Sequence, residues 1–264
     1  MLNNPVAVLY KHRKTLWATS LFDFKARYAG SIVGIWWALI TPILFLGTYS
    51  IVYSVIFKLR PLTMSQPEYI LYIFAGLIPF LNFSEALSLG TTSLTANKEL
   101  LRNTVFPAEL IPVRAVLITL PSFFFSLFLL VTASLILKGF SAKMLLLPLV
   151  VIVQTCFVLG LAWFLAPAHL ALKDIQYLLQ FVIMVLMIAS PIAYTPEMVP
   201  PSVRAFVFLN PLAPFIQVYQ YLFVVDHMPA GWAIAWWGGA SLFVFAFSFR
   251  IFNKIKTVVV NSGI

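Results

Sequence analysis

Long apolar runs separated by short polar breaks set the pattern of this chain. Six runs reach the ~20 residues that a bilayer core requires. They predict helical spans over 31–57, 70–91, 113–137, 144–168, 175–195 and 229–252. The first is over-long and contains Pro42, which predicts a tilt or a kink. Strands of a membrane β-barrel would read as alternating segments of ~10 residues, and these unbroken runs do not. The expected fold is an all-α integral membrane protein with six transmembrane helices in a single transmembrane domain, residues 1–264.

Two further pieces break the simple pattern. In residues 2–28, Val6, Leu9, Tyr10, Leu16, Trp17, Leu21, Phe24 and Tyr28 recur at helical spacing. Lys11, His12, Arg13, Lys14, Lys25 and Arg27 fill the gaps. That predicts an N-terminal amphipathic interface helix within 1–30, its cations towards lipid phosphate. A basic flank that only orients the first span is the alternative. Residues 194–227 are too hydrophobic for a free loop, yet hold Pro196, Pro200, Pro201, Pro211 and Pro214. Proline at that density cannot continue one straight helix, so two re-entrant half-helices are expected there.

The longest polar interruption is Thr91 to Arg114. Asn97 is placed to cap a short helix, with Glu99 in the first turn where the helix dipole favours an acid. Leu100, Leu101, Val105 and Phe106 give it an apolar side, and Pro107 with Glu109 suits the start of the next helix. An exposed Leu-Leu and Val-Phe pair in a polar loop favours a docking surface over an ordinary solvated connection.

Composition narrows the class. The chain is 62% hydrophobic and 9% charged, against roughly 45–50% and about 25% in soluble domains. A water-soluble globule is excluded. The formal charge of +9 needs no nucleic acid to explain it. With the N-terminus inside, twelve of the 17 Lys and Arg residues face the cytoplasm, leaving Lys58, Arg60, Lys138, Lys143 and Arg204 outside. Both termini and the 91–114 loop are therefore expected to be cytoplasmic.

Catalytic chemistry has no local signature. There is no phosphate-binding G-x-x-x-x-G-K-[ST] loop and no H-E-x-x-H, and His12, His169 and His227 are far apart. Cys156 is single and lies in an apolar run, which reads as core. Neither catalytic nor metal-ligating residues are assigned. Glu85 is the one carboxylate inside a predicted span, beside Asn82 and Ser84, and structural or interfacial use competes with proton coupling. Trp36, Trp37, Tyr49 and Tyr53 suit sugar rings in a polar conduit, although interfacial belts use the same residues. Gly30-Ser-Ile-Val-Gly34 reads as a small-xxx-small pattern for close helix packing.

Taken in order, several short motifs resemble the membrane subunit of type-2 ABC exporters for lipid-linked polysaccharides, the O-antigen, capsule and teichoic-acid group. They are Asp23-Phe-Lys-Ala-Arg-Tyr28 with Ser31, Gly34, Trp37 and Pro42; Asn82-Phe-Ser-Glu85; Asn97–Leu101 with Phe106-Pro107; Asp174-Ile175; and Ser190-Pro191-Ile-Ala-Tyr194 with Asn210-Pro211. The resemblance covers nearly the whole chain. It implies two copies around a channel in the bacterial inner membrane and a separate cytoplasmic ATP-binding subunit dimer carrying ATP and Mg. Contacts to that subunit would come from Asn97, Lys98, Glu99, Leu100, Leu101, Arg102 and Asn103, with His169, Lys173 and Asp174 as a second patch. Lys11, Arg13, Lys14, Asp23, Lys25, Arg27 and Tyr28 would form the interface helix and a lateral opening for the lipid headgroup. Trp37, Tyr49, Tyr53, Asn82 and Glu85 are conduit candidates, and Pro191, Tyr194, Pro200, Asn210 and Pro211 would form an outer gate. Phe22 and Lys173 stand where such exporters often carry a basic residue and an Arg. The implied function is ATP-driven export of an undecaprenyl-linked glycan. A type-2 ABC exporter of drugs or lipids is the alternative, and a membrane-embedded enzyme of lipid-linked sugar metabolism a more distant one.

Overall fold

The chain begins with a capped helix: Asn4 Oδ1 accepts from the Val6 amide at 3.0 Å, and Pro5 opens helix α1, Pro5–Lys11. The structure, a computed structural model, describes residues 4–56, 61, 63–102, 106–195, 198–200, 210–226 and 228–262. The chain bends at His12 and continues as α2, Arg13–Arg27, so the expected interface helix is two helices. Val8, Leu16 and Phe24 are buried along one side, while Tyr10, Trp17, Leu21 and Phe22 are exposed. A helix apolar on its protein side and on part of its outer side fits the boundary between protein and lipid.

Gly30 and Gly34 then take positive φ values of 81° and 58°, and a Cβ at either position would meet nothing within 4 Å. This corrects the packing motif expected at 30–34. These glycines are needed for a left-handed backbone at a joint, not for close approach of helices. Close approach of helices occurs elsewhere in the bundle, at Gly160.

Helix α3, Trp37–Ser50, contains Pro42 and widens into a π-helical end over Ile51–Ile56. Helix α4, Gln66–Ala96, starts where the Ser65 amide donates to the Glu68 carboxylate at 2.9 Å. At 31 residues it is about 46 Å long, well beyond a hydrocarbon core of about 30 Å. Its last turns absorb the start of the polar interruption, because Thr91, Thr92, Ser93 and Thr95 each donate to a carbonyl three or four residues back. After α5, Lys98–Arg102, come α6, Leu110–Leu117, and α7, Leu120–Lys138, which form one span broken at Ile118–Thr119 ahead of Pro121. Helix α8, Leu147–Ala171, is followed by α9, Ile175–Ala189, α10, Ala213–Phe223, and α11, Gly231–Ser262.

Among the described residues, five helical stretches are long and apolar enough to cross a membrane: Gly34–Ser54, Gln66–Ala96, Leu110–Lys138, Ala142–Ala171 and Gly231–Val258. The chain is an all-helical, multi-pass membrane protein, and no strand occurs among the described residues. The span expected over 175–195 is shorter than that range. Helix α9 has 15 residues, about 22 Å, and the chain leaves it at Ser190, whose ψ of 143° is the extended geometry favoured before proline. Of the expected half-helix region, residues 196–197, 201–209 and 227 lie outside the described residues, as do Lys58 and Arg60. The described part contains α10.

Helix α4 is the centre of the bundle, packed by α8, α6, α10 and α7. Tyr69, Ile73, Leu77 and Leu94 on it are fully enclosed. Helices α8 and α11 meet so closely at Gly160 that a Cβ would lie 2.7 Å from the Phe245 backbone nitrogen. One turn on, the Trp163 ring packs on Phe249 at 4.9 Å between centroids, and its Nε1 donates to the Glu109 carbonyl at 2.9 Å.

A chain of buried polar groups crosses this core. Tyr219 OH donates to Gln154 Oε1 at 2.5 Å, Gln154 Nε2 donates to Asn82 Oδ1 at 3.1 Å and the Pro79 carbonyl at 3.2 Å, and Asn82 Nδ2 donates to Thr119 Oγ1 at 3.0 Å. With no water to substitute, each of these bonds must be made within the protein. The network fixes α10, α8, α4 and the α6–α7 joint in one register.

Candidate functional site: a charged cleft beside the amphipathic helix

A cleft of about 310 Å³ opens where the end of α2 meets α3, α4 and α7. It gathers five residues singled out in the sequence: Arg27, Tyr28, Trp37, Asn82 and Glu85. Arg27 Nη1 pairs with Glu85 Oε1 at 2.5 Å at the polar end. The carboxylate inside the predicted span therefore has a cationic partner from the amphipathic helix. Ser84 and Ser126 also line the cleft, and their hydroxyls donate to the Leu81 and Ser122 carbonyls within their own helices. A hydroxyl that donates in this way keeps acceptor capacity for another group. Trp37, Phe45 and Phe123 supply the apolar wall. Chemically, the cleft offers one strong anion donor, several acceptors for hydroxyl groups and aromatic faces. Tyr49 and Tyr53 are not part of it; they stack on each other at 5.6 Å.

Glu85 lies eleven residues before the end of α4 at Ala96, about 16 Å along the axis. Beyond it, at that end of the bundle, a second constellation surrounds α5. Arg114 on α6 sends Nε to Asp23 Oδ2 at 2.5 Å and Nη2 to Asn97 Oδ1 at 2.9 Å. Burial pushes the Asp23 carboxyl up from its ordinary value, and Arg114 beside it pulls the other way without cancelling the effect. Asn97 directly precedes α5 as expected, but its side chain serves Arg114 and the Ser93 carbonyl, the latter at 2.8 Å. Lys98 and Glu99 are exposed and Leu101 is buried. Asn103 lies outside the described residues. Nearby, Lys256 of α11 pairs with the buried Glu109 at 2.6 Å.

The second expected contact patch divides. Lys173 and Asp174 are exposed. His169 is buried, its Nδ1 3.2 Å from Thr95 Oγ1, and ties α8 to the last turns of α4. Of the amphipathic-helix cations, Lys11, Lys14 and Lys25 are exposed, and Arg13 lies over the Tyr10 ring at 4.1 Å.

At the opposite end, the stretch Ser190–Thr195 is held from several sides. Tyr69 OH donates to the Ala193 carbonyl at 2.7 Å, Gln220 Nε2 to the Pro191 carbonyl at 2.8 Å and Asn210 Nδ2 to Ser190 Oγ at 2.9 Å. Tyr194 OH turns back to the Ala189 carbonyl at 2.6 Å. Pro191, Tyr194 and Asn210 thus meet at one corner, whereas Pro200 and Pro211 are exposed. Three donors finish α10: Ser134 Oγ, Lys138 Nζ and Lys143 Nζ reach the carbonyls of Phe223, Val224 and Val225 at 3.2, 2.7 and 3.3 Å. Cations at a helix C-terminus also complement its dipole.

Reasoning from sequence missed Arg114, Lys138 and Lys143 as site residues. Their signal was present only as charge counts, because each role depends on a partner far away in the chain.

A family model described as ABC-2 type transporter matches residues 15–224. An O-antigen export system permease protein of Myxococcus xanthus is 27% identical over 227 residues, covering 85% of each chain. A Klebsiella pneumoniae protein of the same name is 28% identical over 238 residues, 89% of each chain. A second from Klebsiella pneumoniae is 28% identical over 205 residues, 76% of this chain and 77% of that one.

Proposed function

Since the chain belongs to the ABC-2 type transporter family, as a transporter's membrane subunit, we propose that it forms the channel of an ATP-driven exporter for an undecaprenyl-linked, O-antigen-like polysaccharide. The observation that carries this reading is the cleft. Arg27 faces the phosphate of a lipid-linked sugar, the acceptors around Glu85 and Ser84 face its hydroxyl groups, and Trp37 offers a ring face. The names of the three relatives point to the same substrate class.

In this reading ATP and Mg act on a separate cytoplasmic subunit dimer that grips α5 and the Lys173–Asp174 corner, and this chain supplies no catalytic group. A second copy of the chain completes the conduit. Its place is supported by α9, none of whose fifteen residues is buried and whose Tyr177, Phe181, Val185 and Ile188 are exposed. Both termini and α5 face the cytoplasm of a bacterial inner membrane, and the Ser190–Thr195 corner with α10 faces out as the gate. ATP can drive export only if inward- and outward-open states bind the partner's two conformations with different affinity.

Depleting the chain in its host and locating the lipid-linked glycan tests this. The reading requires the glycan to accumulate on the cytoplasmic leaflet, protected from periodate added to intact cells. Unchanged surface glycan, with a drug or phospholipid retained instead, would move the assignment to another exporter class.

A further inference from the structure

We propose that Arg114 is a positioning residue that makes α5 and α2 move as one body, carrying motion of the partner-gripped segment to the cleft. This rests on the reading that an ATP-binding subunit holds α5.

The guanidinium is nearly enclosed, its side chain 12% exposed. Its Nε holds Asp23 on α2 and its Nη2 holds Asn97, the residue at which the chain leaves α4 for α5. The same group lies 6.0 Å from the Phe106 ring centroid, on the far side of the α5 segment. One fork therefore meets the segment at both of its ends and the amphipathic helix as well. Asn97 is held on both sides: its side chain donates to the Ser93 carbonyl of α4, and its own carbonyl accepts from the Leu101 amide of α5 at 3.2 Å, so there is little slack in the link. A lysine has the charge but a single donor point, and cannot span Asp23 and Asn97 in this planar geometry.

Four residues after Asp23, one helical turn on, Arg27 makes the second tie, to Glu85 in the cleft. A displacement of α5 thus pulls Arg114, Asp23 and α2 together, and α2 delivers it to Arg27 and Tyr28 on the cleft wall. The left-handed joint at Gly30 and Gly34 lies just beyond, where α2 can tilt without dragging α3. Arg114 touches neither the cleft nor the exposed face of α5, so its part is transmission.

The test uses the complete transporter purified with its ATP-binding subunit, and intact host cells stained for surface glycan. Variants are Arg114→Lys, Arg114→Asp and the swapped pair Asp23→Arg with Arg114→Asp. With Arg114→Lys, subunit stoichiometry is expected to be normal and ATP turnover to stay within about two-fold, while export falls about ten-fold or more, the effect of losing one charge-assisted hydrogen bond in the transmitting state. The swapped pair is expected to export several-fold better than Arg114→Asp alone. Normal export by Arg114→Lys overturns the proposal, and so does loss of the ATP-binding subunit from that variant, which would make Arg114 a static brace. A swap that recovers nothing also overturns it. If the wild-type chain brings down no ATP-binding subunit, the exporter reading itself fails, and the link has no drive to transmit.

Discussion

Replacing Glu85 by Gln changes the cleft's charge with almost no change of shape. The Arg27–Glu85 pair is short at 2.5 Å, but its side chains are 38% and 33% exposed. An ion pair that wet contributes about 1 kcal/mol or less to folding. Glu85→Gln should therefore lower the thermal midpoint only slightly. It frees Arg27, however, so an anionic headgroup no longer competes with the carboxylate. The energy returned, about 1 kcal/mol, corresponds to roughly five-fold tighter binding. Arg27→Met removes the charge-assisted bonds to phosphate altogether and should weaken binding about ten- to hundred-fold. The assay is binding of radiolabelled undecaprenyl phosphate to the purified protein in nanodiscs. Weaker binding by Glu85→Gln, or equal binding by the two variants, would refute the idea that Arg27 exchanges Glu85 for a phosphate.

Three further outcomes follow from the geometry. Gly160→Ala places a Cβ 2.7 Å from the backbone of α11, so α8 and α11 must separate, at a cost of about 1–3 kcal/mol; the melting midpoint in detergent should fall clearly, whereas Gly139→Ala, which faces open space but has φ 79°, should cost only its backbone strain. Tyr219→Phe leaves Gln154 Oε1 buried without its donor, destabilising by about 1–3 kcal/mol, and adding Gln154→Leu should recover part of the loss in a double-mutant cycle of thermal melts. For Asp23, burial raises the folded-state pKa, so the folded chain binds this proton more tightly than the unfolded one. This group's contribution to stability therefore rises as pH falls through the window between its ordinary and raised values, while its charge on Arg114 is lost. Export by reconstituted transporter should decline on acidifying the α5 side through that window without unfolding, and Asp23→Asn should be low and flat across it.

How much of this was legible in the sequence varied with the range of the interaction. Long apolar runs fix helices locally, so most spans were readable. Helix α4 outran its expected end because Thr91–Thr95 satisfy their hydroxyls on their own helix, which polarity alone does not reveal. Helix α9 fell short because Ser190 precedes a proline. The glycines at 30 and 34 have the spacing of a packing motif, and only their positive φ shows that they form a joint. The cleft residues were identifiable as residue types, but not as a group: Arg27 on α2 and Glu85 on α4 meet with the whole of α3 between them in the chain. Arg114 was visible only as one cation among many, since its meaning comes from Asp23 and Asn97.

The central claim, that this chain is the membrane half of an ATP-driven exporter, meets its most direct test in affinity purification from detergent-solubilised membranes followed by an ATPase assay. Equal amounts of this chain and of an ATP-binding subunit are expected, with ATP hydrolysis in the eluate that is lost when the partner's gene is deleted. Purification of the chain alone, inactive with ATP from a host that carries such subunits, would contradict it.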